Sequence, residues 1–314
     1  MPDSDSIRFR IPPSAIVSAA IMIAFAVVII IAIFATQPSW IGLQLTQHSS
    51  VEALVVQQST GPSRDIPEGT ALAAVSNGTD SMTLERFDGT VEPDGTMGTY
   101  DAYRRFIERQ NQLYKIQGSP EIVFTDTSGK EYLVKPDLRG RPLARLPIEF
   151  WVQVIVGVVA WVISATIFAF RPREASARYL LLSGLATLIF APCAATYTTR
   201  ELGFPGLPLR WLSDLNFFGG TVFIASFVGL MLHYPRRIAP SWAGISIVIV
   251  YVGWFILQQL GFFESMTFAR RFHVMVGVLT TFALAGVHWF LTRKDPVARA
   301  LLQWFLLSWM VGTT

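Results

Sequence analysis

The sequence has one cysteine among its 314 residues, and this residue, Cys193, lies inside an apolar segment. A disulfide framework and a cysteine-based metal site are therefore excluded. Charged residues are also scarce, since Asp, Glu, Lys and Arg make up 15% of the chain, whereas a typical soluble domain has about 25%. Apolar residues reach 52%, so much of the surface must face something other than water. The net charge of +3 gives no reason to expect a nucleic-acid partner.

The motifs of several enzyme classes are also absent. The sequence has no His-Glu-x-x-His pair, which an intramembrane metalloprotease needs to hold zinc, and no P-loop for a nucleotide. Ser183 and His288 are the residue types of a rhomboid-like protease, but no feature of the sequence links them. No run of carboxylates suits a metal ion. We therefore expect no catalytic residue, metal or cofactor in these residues.

Long apolar segments predict membrane-spanning helices, since about 20 apolar residues at a rise of about 1.5 Å cross the hydrocarbon core. The first segment has Ile33 where signal peptidase would need a small residue for cleavage after Ala35, which favours an uncleaved anchor. A seventh span begins near Ala300, and we expect the full protein to have eight. The predicted complete spans are 15–36, 150–170, 179–196, 215–233, 242–260 and 272–291.

The distribution of basic residues predicts the orientation of these spans. If residues 1–14 are a cytoplasmic N-terminus, the short cytoplasmic segments hold most of the Arg and Lys residues that flank the spans. The short segments on the other side hold only Arg200, Arg210, Arg270 and Arg271. We therefore expect residues 37–147 to form an extracytoplasmic domain and residues 148–314 to form a helical bundle in the lipid bilayer, cut off in span seven.

Residues 37–147 have the composition of a soluble α+β domain. Segments near 40–45, 51–56 and 70–75 predict strands, and Asn77-Gly78 is typical of a hairpin turn. Thr99 is a suitable N-cap for a helix through Ile116, in which apolar residues recur at helical spacing. A second hairpin is predicted at 121–135. The expected fold class is thus an α-helical membrane bundle with an inserted α+β domain.

This order of elements, with Ile41-Gly42-Leu43 at the first strand and one long helix, resembles a PDZ domain. In that fold a peptide adds as a strand beside the helix, and backbone amides of the Gly-Leu loop hold its terminal carboxylate. The resemblance implies that the amides of Ile41, Gly42 and Leu43 bind a carboxylate. It also implies a groove wall made of Tyr103, Phe106, Ile107 and Gln110. The alternative is a domain that binds no peptide and only packs against the bundle or a second protomer.

Polar residues also gather at the predicted outer ends of the spans. Unsatisfied polar groups at membrane depth are costly, so these residues need partners. They form either a cluster that receives a ligand or docks the inserted domain, or a set of interfacial caps whose long side chains reach water. The residues are Arg200, Asp214, Asn216, Gln258, Gln259, Glu264, Arg270 and His273.

One span, a folded domain and then closely spaced spans resemble the sensor region of ComP-type bacterial histidine kinases, the competence-pheromone receptor family. His233-Tyr234-Pro235 is similar to the aromatic-Pro pair that ends a span in that family, and residues 299–304 resemble the start of its seventh span. The resemblance implies a homodimer in the bacterial inner membrane, a cytoplasmic kinase beyond Thr314 and a response regulator as partner. We expect no kinase activity within these residues, because they include no phosphoacceptor helix or ATP lid.

The sequence as a whole favours a signal receptor that detects an extracytoplasmic ligand, either a peptide or a small hydrophobic molecule. The alternative is a membrane anchor whose PDZ-like domain binds a periplasmic or extracellular protein. A carrier or channel is less favoured, because the charged residues lie at the ends of the spans and the two halves show no repeat.

Overall fold

The structure, a computed structural model, describes residues 12–47 and 53–313. Most of the predicted cytoplasmic N-terminus and two residues of a predicted strand, Val51 and Glu52, lie outside the described residues. Among those described, six helices are long and apolar enough to cross a membrane. The chain is therefore a multi-pass membrane protein.

Apart from the short α2, which the sequence did not predict, the helices follow the predicted order, with several boundaries shifted. They are α1 (Pro13–Thr36), α2 (Pro93–Thr96), α3 (Tyr100–Gln117), α4 (Ile148–Phe170), α5 (Ala175–Thr198), α6 (Gly206–Met231), α7 (Ser241–Gln259), α8 (Met266–Leu291) and α9 (Pro296–Thr313). The six apolar helices are α1 and α4 to α8. Helix α6 begins at Gly206 rather than at residue 215, and α8 begins at Met266 rather than at residue 272. The additional turns mix polar and apolar residues because they pack against the inserted domain, so hydropathy alone does not reveal them.

Helix α5 is the centre of the bundle and packs against α1, α4 and α6. Small residues let these helices approach closely. A Cβ atom on Gly184 would lie 1.8 Å from Ser164 Oγ, and one on Gly219 would lie 2.8 Å from Phe190 Cβ. The indole N–H of Trp161 in α4 donates to the carbonyl of Ala20 in α1 at 2.8 Å. By contrast, α1, α4 and α7 expose large aliphatic side chains, as expected of surfaces that face lipid.

Residues 37–147, called the inserted domain below, contain one antiparallel sheet and the long helix α3. The strands are β1 (Leu43–Gln47), β2 (Leu54–Ser59), β3 (Ala71–Ser76), β4 (Ser81–Thr83), β5 (Ile122–Asp126) and β6 (Glu131–Val134). Their order is β1-β2-β3-β5-β6, and β4 pairs with β3. A fully buried core of Leu43, Leu72, Phe124 and Leu113 joins the sheet to α3. This arrangement confirms an α+β domain, whereas its PDZ-like identity stays a prediction.

Local turn and cap chemistry explains the element boundaries of the inserted domain. The Thr99 side chain accepts a hydrogen bond from the amide of Ala102 and so caps α3, as the sequence predicts. Gly78 and Gly129 have φ values of +87°, which favour glycine, and they turn the β3–β4 and β5–β6 hairpins. Both predicted hairpins are confirmed.

A buried ion pair fixes the segment between β4 and α3 to the helix. The Asp88 side chain is fully buried and accepts hydrogen bonds from Arg109 Nε and Nη2 at 2.7 and 2.6 Å. It also accepts from the backbone amide of Glu85 at 2.8 Å. Hydrogen bonding to Asp88 raises the pKa of Arg109 further above its ordinary value. This bidentate arrangement satisfies a carboxylate that burial would otherwise penalise.

Candidate functional site: a cavity between the inserted domain and the membrane helices

One apolar core crosses the boundary between the inserted domain and the bundle. Phe106 of α3 is fully buried and belongs to the same cluster as Phe150 of α4, Tyr197 of α5 and Leu209 of α6. Tyr103 donates its hydroxyl hydrogen to Ser213 of α6 at 2.7 Å. The apolar face of α3 therefore packs against the membrane helices. Of the two possibilities drawn from the sequence, packing against the bundle describes this face better than an open groove wall does.

A cavity of about 700 Å³ lies beside this contact. We call it the interface cavity, because its walls come from α3 of the inserted domain and from the adjacent ends of α6, α7 and α8. Its volume is within the range of small-molecule sites. The charged residues that line it are Asp101, Arg104, Glu108, Arg210, Asp214, Glu264 and Arg270, and the other lining residues include Tyr100, Tyr103, Ile107, Gln258, Gln259 and Met266.

Arg270 is the buried charge of the interface cavity. It is 4% exposed and its Nη2 donates to Asp214 Oδ1 at 3.2 Å, while Nη1 donates to Ser213 Oγ at 3.4 Å. Its guanidinium also stacks over the rings of Tyr103 and Phe217, with 5.0 and 4.9 Å to the ring centroids. The contacts of Arg270 therefore join α3, α6 and α8.

Two buried oxygen atoms in the interface cavity have free hydrogen-bonding capacity. Neither the hydroxyl of Tyr100 nor Oε1 of Gln258 has a hydrogen-bond partner among the described residues. Burial raises the pKa of Tyr100, and the proximity of Arg270 and Gln258 lowers it only in part. The Tyr100–Gln258 pair is close but does not have hydrogen-bond geometry. Buried polar atoms normally have partners, and these two oxygens keep capacity for a further hydrogen bond.

The structure divides the predicted polar cluster into three groups. Asp214, Gln258, Gln259, Glu264 and Arg270 line the interface cavity. Asn216 and His273 lie deeper, where Asn216 Nδ2 donates to the Tyr197 hydroxyl at 2.8 Å and His273 Nε2 is 3.0 Å from Thr221 Oγ1.

Arg200 belongs to a separate contact between the bundle and the inserted domain. Its Nε donates to Gln110 Oε1 at 2.8 Å, and its Nη2 donates to the carbonyl of Thr90 at 2.5 Å. Gln110 also donates to the carbonyl of Asp88 at 3.0 Å, so both ends of the side-chain amide of this predicted groove residue make internal hydrogen bonds. Burial lowers the pKa of Arg200 to about 10.

The predicted carboxylate loop does hold a carboxylate, but one from this chain. The amides of Ile41 and Gly42 donate to Glu201 Oε2 at 2.9 and 3.2 Å, and Leu43 is buried in the core of the sheet. Glu201 lies in the short connection between α5 and α6. The sequence places Glu201 beside Arg200 among the polar residues at the outer ends of the spans, but a single acidic residue carries no signal of a partner 160 positions away.

Comparison with known proteins finds no matching family model, curated protein or solved structure. The resemblance to ComP-type kinases therefore stays a prediction. Among residues 12–47 and 53–313, no group of three or more His, Cys, Asp or Glu side chains is placed to hold a metal ion.

Proposed function

We propose that this chain is the sensor region of a membrane signal receptor, and that its ligand binds in the interface cavity. In this proposal the membrane is a bacterial inner membrane, and the inserted domain lies on its extracytoplasmic side. The observation that supports the proposal most is that one cavity has walls from both the inserted domain and three membrane helices. A ligand bound there contacts both parts of the protein at once, which is the geometry that a receptor needs to convert binding into a change of helix packing.

The lining favours a ligand with charged and apolar groups, such as a short peptide. Arginine and carboxylate side chains are both present, and Arg270 and Asp214 lie at the buried end. Tyr103, Ile107 and Met266 supply apolar surface. A purely hydrophobic ligand would leave the oxygens of Tyr100 and Gln258 without partners, at an energetic cost. We therefore favour the peptide over the small hydrophobic molecule.

Helix α8 provides a route from the interface cavity to the opposite end of the bundle. It begins with Met266, whose amide donates to the carbonyl of Gly98 in the inserted domain at 3.2 Å. Near its other end, His288 Nε2 lies 2.6 Å from the carbonyl of Met231 in α6, and α8 then packs against α9. In the proposed receptor, a shift of α8 would reach α9 and a cytoplasmic kinase dimer that follows it, and from there a response regulator.

Arg270→Ala should weaken ligand binding about tenfold or more, because it removes a buried charged hydrogen-bonding group. Gln258→Leu should also weaken binding while keeping a similar side-chain volume. Arg271→Ala is the matched control, since Arg271 is the exposed neighbour of Arg270. The measurement is the melting temperature of the purified protein in nanodiscs, with fractions of culture medium and short synthetic peptides as probes. Ligands that raise the melting temperature of the wild type should do so in Arg271→Ala but much less in the other two variants.

Equal stabilisation of the wild type and both cavity variants would contradict the proposed site. Stable capture of one protein by the inserted domain, with no effect of Arg270→Ala or Gln258→Leu, would instead favour the membrane anchor that binds a periplasmic or extracellular protein.

A further inference from the structure

A basic surface lies at the end of the bundle opposite the inserted domain, around the last turn of α8. We call it the basic end. It consists of Arg236 and Arg237 from the connection between α6 and α7, Arg293 and Lys294 from the connection between α8 and α9, and Arg299 of α9. Within the described part of the chain, none of these side chains forms an ion pair with a carboxylate. Basic residues gathered without acidic partners create a positive potential that attracts an anion from outside the chain.

Two guanidinium groups of the basic end are held in place by aromatic rings of α8. Arg299 lies over the ring of Trp289, with 4.0 Å to the ring centroid, and Arg293 lies over the ring of Phe290, with 4.9 Å. A ring contact orients the plane of a guanidinium group but does not occupy its N–H donors. Both groups are therefore positioned by the protein and keep donors for an oxygen ligand such as a phosphate.

A third guanidinium group reaches the same turn of α8 from another segment. Arg236 Nη1 donates to the carbonyl of Leu291 at 3.4 Å, so the three arginines contact three consecutive residues of the helix. Asp295 is the one acidic residue in the two connections, and its Oδ1 accepts hydrogen bonds from the amides of Val297 and Ala298 at 3.1 and 3.0 Å. This carboxylate caps α9 and does not neutralise the arginines.

The position of the basic end along the helices selects lipid as the source of the anion. Phe290 and Leu291, the last residues of the apolar helix α8, are exposed, and so is Trp242 in the first turn of α7. Exposed Trp side chains at the ends of spans mark the level of the lipid headgroups. A phospholipid offers a phosphate for the arginines and acyl chains for the adjacent apolar side chains, whereas a soluble anion offers only the phosphate.

We propose that the basic end is a binding site for the headgroup of an anionic phospholipid. The phosphate oxygens accept hydrogen bonds from Arg293 and Arg299, and the acyl chains lie along the exposed apolar side chains of α8. The arginines belong to the α6–α7 connection, the α8–α9 connection and α9, so a bound headgroup holds these three segments together. The position of α9 then depends on the lipid composition of the membrane. This inference goes beyond the proposed receptor and does not depend on ligand binding in the interface cavity.

Native mass spectrometry of the full chain, taken from micelles with equal amounts of phosphatidylglycerol and phosphatidylcholine, tests the proposal. The wild type should retain the anionic phosphatidylglycerol in preference to the neutral lipid. The double variant Arg293→Gln/Arg299→Gln should lower this preference about thirtyfold, since each basic residue near an anionic lipid contributes a factor of about five. The matched control is Arg171→Gln/Arg173→Gln, which removes two exposed arginines from the α4–α5 connection at the same end of the bundle and should change the preference much less.

Equal retention of the two lipids by the wild type would overturn the proposal. Equal loss of preference in the two double variants would also overturn it, because net charge alone would then attract the lipid. Displacement of phosphatidylglycerol by millimolar glycerol 3-phosphate would assign the arginines to a soluble anion and contradict the lipid site. If the first double variant does not fold, the decision moves to Arg293→Gln at an exposed position, which should lower the preference about fivefold. An unchanged preference in that variant would overturn the proposal.

Discussion

Replacing Asp88 with asparagine should destabilise the inserted domain by about 3–5 kcal/mol, the usual effect of breaking a buried ion pair. The Asp88 side chain is fully buried, and that of Arg109 is only 17% exposed. Asparagine can accept on one oxygen only, so it cannot reproduce the two hydrogen bonds that Arg109 donates. The arginine would keep only Glu85 as a charged partner, at 2.9 Å from Arg109 Nη1, and the Glu85 side chain is 48% exposed.

The effect is measurable as exchange of the β5 amides, which should accelerate by about a hundredfold or more, since about 1.4 kcal/mol corresponds to tenfold. Arg139→Ala is the matched control, because Arg139 also pairs with an aspartate, Asp137, but its side chain is 90% exposed. An exposed pair contributes at most about 1 kcal/mol. Similar exchange rates in the two variants would show that the buried Asp88–Arg109 pair stabilises the inserted domain no more than an exposed pair does.

Gly203→Ala should release the connection between α5 and α6 from the inserted domain. The free energy that holds the connection in place should fall by about 3 kcal/mol. A Cβ atom at this position would lie 2.1 Å from the backbone nitrogen of Tyr114. Helix backbone cannot yield as a flexible side chain can, so the connection itself must move. Leu202 and Phe204, which are 4% and 1% exposed, would then lose their apolar surroundings.

Trypsin provides a sensitive measurement of this release, because Arg200 precedes Glu201 in the same connection. When the connection opens and closes faster than trypsin cuts, the cleavage rate follows the population of the open form. Cleavage after Arg200 should then be about a hundredfold faster in Gly203→Ala than in the wild type. Gly98→Ala is the control, since a Cβ atom on Gly98 meets no other atom within 4 Å. Equal cleavage rates in the wild type and Gly203→Ala would mean that the connection tolerates a side chain and is not tightly docked.

Elements whose signal is local were predictable from the sequence. The apolar helices follow from uninterrupted hydropathy, and α3 follows from its Thr99 cap and helical periodicity. The β5–β6 hairpin follows from turn chemistry at Gly129. In each case the residues that decide the structure are close together in the chain, so no knowledge of the tertiary fold was required.

Contacts between distant segments were not predictable in the same way. The apolar face of α3 was interpreted as a groove wall, whereas Phe106 lies in a core shared with α4, α5 and α6. Periodicity identifies an apolar face but not the surface that covers it. Likewise, Arg270 and Gln258 were recognised as polar residues at helix ends, but their meeting in one cavity with Tyr100 depends on how the domain docks.

The early start of α6 also depends on a contact between distant segments of the chain. Its first turns combine Arg210 and Asp214 with buried Leu209 and Leu212, a pattern typical of contact with a polar domain rather than with lipid. A hydropathy criterion therefore places the start at residue 215. The partners of Glu201 could not be predicted, because they are backbone amides, which every residue except proline provides.

In the proposed receptor the interface cavity faces the exterior, where a receptor meets its ligand. Cysteine labelling in intact cells with a membrane-impermeant maleimide tests this most directly. The native Cys193 is buried and gives little background. Glu264→Cys lies at the cavity and Arg236→Cys lies near the opposite end of α6, and both positions are exposed. We expect Glu264→Cys to be labelled in intact cells and Arg236→Cys to be labelled only after the membrane is opened. The reverse pattern would place the cavity in the cytoplasm and contradict the proposed receptor.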